Sequence, residues 1–183
     1  MIQRIQSLLL LIMALLMVAF LFSPIWQNEN KKEIKDGQTI DKTSDIKVTL
    51  TAFVLTLSGT EKVEERTELN IVKEQKMISE TKSAVYIGIL AIGVAAAAAY
   101  SIFQYRNRLL QIKLGALNSL VLCLIIVCIY INIVQGNKLL NVPAEGNFQI
   151  GFFLPVGAIV LNLFSNWFIR KDEKLVKSAD RIR

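Results

Sequence analysis

Few side chains in this sequence invite a chemical question. The chain has no histidine, so it lacks the commonest general base and the commonest metal ligand. A Ser-His-Asp or Cys-His mechanism is excluded. Its two cysteines, Cys123 and Cys128, stand about 140° apart around a helix. Both fall inside an uncharged apolar run, where small packing residues are the expected role rather than redox or metal chemistry, and no disulfide is expected. The carboxylates Glu64, Glu65 and Glu68 lie among lysines and alternating apolar residues and read as a solvated strand face. The expectation is a non-enzymatic chain with no catalytic residue, no cofactor site and no metal site.

The elements that must position these residues are set by hydrophobicity. Of 183 residues, 53% are hydrophobic and the mean hydropathy is +0.45, which is too apolar for an ordinary soluble domain. Four stretches carry no Asp, Glu, Lys or Arg: residues 5–28, 83–105, 114–137 and 146–169. Each exceeds the roughly 20 residues that a helix needs to cross about 30 Å of hydrocarbon. The fold class expected is therefore an integral membrane, mainly α protein, a four-transmembrane-helix bundle with a small extracytoplasmic antiparallel β-sheet between the first two helices. Its segments are a cytoplasmic start at 1–6, spans at 7–27, 84–105, 114–135 and 149–169, a β-rich outer domain at 28–83, a cytoplasmic hairpin at 106–113, an outer loop at 136–148 and a basic cytoplasmic tail at 170–183. With no charge inside a span, proton relays, voltage sensing and ion-coupled transport lose their usual machinery.

Basic residues in short segments beside spans mark the cytoplasmic face. Arg4, Arg106, Arg108, Lys113, Arg170, Lys171, Lys174, Lys177, Arg181 and Arg183 share one face, and Lys138, balanced by Glu145, is the only short-loop base on the other. Residues 29–82 mix acids and bases almost evenly, as a translocated domain does. Both termini are expected in the cytoplasm, and the first apolar run is read as an uncleaved anchor. Pro24 ends it, Trp26 is placed as an aromatic anchor at the membrane interface, and no small-x-small cleavage site follows. The surplus of basic charge on this face points to anionic membrane lipid, not nucleic acid.

In the outer domain Ile46, Val48, Leu50 and Ala52 alternate with Lys47, Thr49 and Thr51, the two-residue period of a strand. The strand is expected to continue through Phe53, Val54, Leu55 and Leu57 and to close at a Ser58-Gly59-Thr60 turn. Asp36-Gly37 marks a hairpin upstream, and residues 62–77 could form a hairpin strand or a helix, of which the strand is the reading taken. Such a sheet is too small to stand alone and is expected to rest on the membrane or on the 138–150 loop.

The second span is rich in small residues. Gly88, Gly93, Ala95, Ala97 and Ala99 are assigned to close helix packing, with Ala91, Ala95 and Ala99 in a small-xxx-small row. Asn118, Asn132, Asn162 and Asn166 are assigned to polar contacts inside the membrane, and Asn162 and Asn166 share one face of the last span.

Three stretches carry a family resemblance: MIQRIQ at 1–6, IFQYRNRLLQIKL at 102–114 and IRKDEKLVKSADRIR at 169–183. Together they resemble a family of uncharacterised membrane proteins from Bacteroidota, the domain of unknown function with serial number four-two-nine-three, over the whole chain. The resemblance implies a four-span protein of the bacterial cytoplasmic membrane and supplies no catalytic residue. The order of spans and sheet is also similar to the claudin arrangement, by topology alone. The function expected is a non-enzymatic accessory or scaffold subunit of a larger membrane protein complex. In that reading the basic residues from Arg106 to Lys113 and from Arg170 to Arg183 meet a partner or lipid headgroups. The alternative is a small lipid- or solute-handling protein that uses the Asn162 and Asn166 face.

Overall fold

The computed structural model describes residues 2–36, 40–67, 70–104, 107–139 and 146–180. Its elements, in chain order, are α1 (Ile2–Phe22), β1 (Trp26–Asp36), β2 (Ile40–Leu50), β3 (Val54–Thr67), β4 (Asn70–Ser83), α2 (Val85–Phe103), α3 (Arg108–Leu139), β5 (Asn147–Phe148) and α4 (Ile150–Asp180). All four helices are long and apolar enough to cross a membrane. This is the makeup of a multi-pass membrane protein with a small antiparallel sheet.

The helices form a closed ring in which α1 packs on α2 and α4, and α3 packs on the same two neighbours. One pattern explains the ring. The residues buried along α2 include Ile87, Ala91, Val94, Ala98 and Ser101, which recur in alternate steps of four and three. Gln6, Leu10, Met13, Met17 and Phe20 on α1 follow the same steps, as do Gln111, Gly115, Asn118, Leu122, Ile125, Ile129 and Asn132 on α3. On α4 the series is Gly151, Pro155, Ala158, Asn162, Ser165 and Ile169. A repeat averaging 3.5 residues keeps each seam turned toward its neighbours when helices supercoil left-handedly. Bulky seams and small seams alternate around the ring, with Met and Phe on α1 facing Ala and Gly on α2 and α4. Large Leu, Ile and Phe side chains on the outward faces are exposed instead. Hydrophobicity therefore does not separate inside from outside here; the heptad-like spacing does.

α1 stops where the backbone can no longer continue as a helix. Ser23 donates its hydroxyl to Ala19 O at 2.8 Å, and Pro24 follows without an N–H. The chain then enters a sheet of order β4-β3-β2-β1-β5, antiparallel throughout. The hairpin expected at Asp36-Gly37 has its flanks as expected, with Asp36 opposite Ile40, while residue 37 itself lies outside the described residues. The expected turn at Ser58-Gly59-Thr60 is not there. β3 runs straight through it, Gly59 pairing with Ile46 on one side and Ile78 on the other. The chain turns earlier, at Thr51, Ala52 and Phe53, where Thr51 Oγ1 donates to Val54 O and accepts from Val54 N. A threonine hydroxyl thus supplies the turn chemistry that a glycine was expected to supply. Residues 62–77, read as one further strand, span the end of β3 and the start of β4.

The sheet is seated on one end of the bundle. Val48, Leu50, Ala52, Leu55 and Leu57 join Ala84, Ile87 and Ile133 in a continuous apolar core. Trp26 is not an interface anchor: it is 1% exposed and belongs to this core. Gly136 on α3 leaves room for its indole, with Val48 and Leu55 alongside, and Gly146 packs flat against the ring. The contact of β5 with Trp26 and Gln27 adds the segment before α4 to the sheet as an edge strand; the sheet was expected to rest on the membrane or on the 138–150 loop, and its apolar face packs instead on the helix ends.

At about 1.5 Å per residue, the 32 residues of α3 and 31 of α4 both overrun a hydrocarbon core of about 30 Å. α3 overruns toward the sheet, where Asn28 donates to Asn137 Oδ1 at 3.1 Å. α4 overruns at the opposite end, carrying the residues expected as a tail. The expected hairpin at 106–113 is mostly helix, because α3 begins at Arg108 and the Gln111 N–H already bonds to Asn107 O.

Candidate functional site

The polar seam residues are unevenly distributed. In the half of the bundle nearer the sheet the seams are almost wholly apolar, from Met13, Met17 and Phe20 to Leu122, Ile125, Ile129 and Ala158. In the half away from the sheet they are Gln6, Ser101, Gln111, Asn118, Asn162 and Ser165, all buried. Every helix contributes to this polar layer. Its placement follows from the ring: α1 and α4 run antiparallel with Gly151 against Pro24 and Gly157 against Leu16. The same register brings Gln6 level with the stretch between Ser165 and Ile169.

Two hydrogen-bonded joints organise the layer. Gln111 Nε2 donates to Ser101 O at 2.8 Å and closes the short α2–α3 connection, whose backbone is further tied by Gln104 N–H to Tyr100 O and Ser101 O. On the other side Asn162 Nδ2 donates to Gly115 O at 2.7 Å and to Ser119 Oγ at 2.8 Å, and the Ser119 hydroxyl donates to Gly115 O at 3.2 Å. A Cβ at Gly115 would overlap the Asn166 amide, so the glycine is what lets α3 and α4 approach closely enough for the Asn162 bonds. Asn162 and Asn166 do share the α3-facing side of α4, and Asn118 is buried on the facing seam. Asn132 belongs to a separate joint near the sheet, donating to Tyr86 OH and to Cys128 O at 2.8 Å.

Among the described residues, three buried polar atoms in the layer have no protein hydrogen-bond partner: Gln6 Nε2, Asn162 Oδ1 and Ser165 Oγ. They are an amide donor, a carbonyl acceptor and a hydroxyl, none with a formal charge. Neutral groups of this kind pair with water or another neutral polar group more readily than with an ion. Among the described residues no group of three metal-binding side chains comes together. Sequence reasoning did not find Gln6, Ser101, Gln111 or Ser165. Gln6 and Gln111 lay just outside the segments assigned to spans, and the serines are unremarkable in an apolar run. The four-three spacing would have found all of them.

The residues assigned to helix packing fall into three groups. Gly88 is buried, and a Cβ there would run into the Phe53 ring that caps α2. Ala95, Ala97 and Ala99 are half-buried. Gly93 faces outward, with nothing within 4 Å of the place a Cβ would occupy. Of the basic residues, Lys113, Arg170, Lys171 and Lys174 are exposed at the end away from the sheet, Lys113 near the start of α3 and the others on the last turns of α4. Arg108 and Lys177 lie in the helical backbone at the same end. Arg106, Arg181 and Arg183 lie outside the described residues. Cys123 is exposed on the outer surface of α3, and Cys128 is half-buried.

No curated protein matches the chain. One family's sequence pattern matches it over residues 2–182, nearly its full length, and that family is described as a domain of unknown function, DUF4293. With four apolar helices, an antiparallel sheet and a match of that extent, the chain belongs to the DUF4293 family.

Proposed function

We propose that this chain is a non-enzymatic accessory or scaffold subunit of a larger protein complex in the bacterial cytoplasmic membrane. The observation that carries the reading is the outward face of α2. There Gly93 and Ala96 are exposed, Ala97 is half-buried, and Ile89, Ile92 and Tyr100 stand around them. The ring of four helices leaves this notch uncovered. In a bilayer, helices associate through close van der Waals packing at small residues, so a shallow notch on an outer face suits a partner helix better than mobile acyl chains.

Two further features support the reading. β4 is an edge strand of the sheet, suited to strand addition by a partner and moderated by charged residues such as Glu80 and Lys82. The end of α4 mixes Arg170, Lys171 and Lys174 with Asp172 and Glu173, as a protein contact would. In this proposal both termini are cytoplasmic and the sheet lies outside. Mild extraction of the tagged native protein, followed by mass spectrometry, tests it. A stoichiometric partner is expected, and Gly93→Leu should lose it. Recovery only as a monomer or homo-oligomer in several mild detergents would overturn it.

A second reading has one observation in its favour, the unpartnered Gln6, Asn162 and Ser165 atoms. In it, the polar layer holds a small neutral solute. Native mass spectrometry distinguishes the two: a defined small molecule that is lost with Asn162→Leu would favour this reading.

A further inference from the structure

The face of α4 opposite Asn162 carries two adjoining hollows. The first, of about 470 Å³, is lined by Val160, Leu163, Phe164 and Trp167 and is almost entirely apolar. The second, of about 560 Å³, is lined by Trp167, Arg170, Lys171, Glu173 and Lys174. Trp167 is the wall they share. Residues 160, 163, 164, 167, 171 and 174 recur at helical spacing, so apolar groove and basic pocket form one strip along a single helix face. Lys171 Nζ lies 5.3 Å from the centre of the Trp167 ring, a cation–π contact that fixes the indole at the junction. Trp167 is 55% exposed.

We infer that this strip binds one anionic phospholipid, with an acyl chain in the Val160–Trp167 groove and the phosphate among Arg170, Lys171 and Lys174. The order of chemistry along the strip carries the assignment. It is apolar for about 10 Å of helix, then aromatic, then basic, which is the order of chain, interface and headgroup in a phospholipid. A free phosphate would use only the basic pocket, and an apolar partner helix only the groove. Three bases against Glu173 leave the pocket net positive, which favours phosphatidylglycerol over zwitterionic lipids whose cationic groups would meet the same bases. The site lies on α4 and not at the α2 notch that carries the subunit reading; lipid at Arg170, Lys171 and Lys174 would remove those bases from that reading's support and leave the notch untouched.

The full chain, reconstituted in phosphatidylcholine vesicles containing a small fraction of chain-brominated lipid, tests the assignment through tryptophan quenching. Trp26 is buried beneath the sheet, so quenching reports Trp167. Brominated phosphatidylglycerol should be enriched about fivefold at Trp167 over brominated phosphatidylcholine or phosphatidylethanolamine at equal fraction. The combined Arg170→Gln, Lys171→Gln and Lys174→Gln variant should lose the preference, while Lys171→Arg with Lys174→Arg should keep it. Added inorganic phosphate should leave it unchanged. Equal quenching by the three lipids, persistence in the glutamine variant, or abolition by inorganic phosphate would each overturn the assignment.

Discussion

Gly151 and Gly93 are both glycines in apolar helices, yet their surroundings predict opposite responses to one added methyl. Gly151 donates its N–H to Pro24 O at 3.0 Å, and a Cβ there would lie 2.5 Å from the same backbone oxygen, which cannot swing aside. Gly151→Ala should destabilise by about 1–3 kcal/mol, and Gly93→Ala, pointing into open space in mid-helix, should stabilise by up to about 1 kcal/mol. Unfolding in mixed micelles with increasing dodecyl sulfate measures both, and equal costs would contradict the assigned packing. The same scale shows what can be read from residue types. Asn118, Asn132, Asn162 and Asn166 stand out because an amide in a span needs a partner, whereas Gln6, Gln111, Ser101 and Ser165 are distinguished only by their place in the seam. Trp26 misleads because the space for its indole comes from Gly136 and Gly146, more than a hundred positions away.

At the scale of elements, hydrophobic runs located each helix among the described residues, since stretches this long that are both uncharged and apolar are the mark of a span. They did not locate helix ends, because α3 and α4 continue as charged helix beyond the apolar stretch. The sheet was legible from the alternation around Val48 and Leu50, but its turns were less so. The β2–β3 turn has neither glycine nor proline. It is held by Thr51 Oγ1, by Thr51 N–H to Val54 O at 2.9 Å, and by Ala84 N–H to Phe53 O at 2.8 Å. Thr51→Val keeps the shape and removes the hydroxyl, so it should cost about 1 kcal/mol. Gly59→Ala, in mid-strand, should cost no more than that. Thermal unfolding of the two variants checks the order, and a much larger loss for Gly59→Ala would restore the turn to residues 58–60.

For the whole molecule, the connectivity places the sheet at one end of the bundle and the exposed bases of α4 at the other, which turns the orientation proposal into an experiment on intact cells. In a background lacking Cys123 and Cys128, an impermeant thiol reagent should label Lys42→Cys and spare Asn107→Cys, and the reverse pattern would invert the orientation. The subunit proposal depends most directly on what touches the α2 notch in the native membrane. A photo-crosslinking residue at Ala96, compared with one at Leu120, which is exposed on α3, reads this contact without extraction. A discrete protein adduct of fixed mass is expected from Ala96 and none of comparable yield from Leu120. No protein adduct from Ala96, or the same diffuse set of products from both positions, would contradict the subunit proposal.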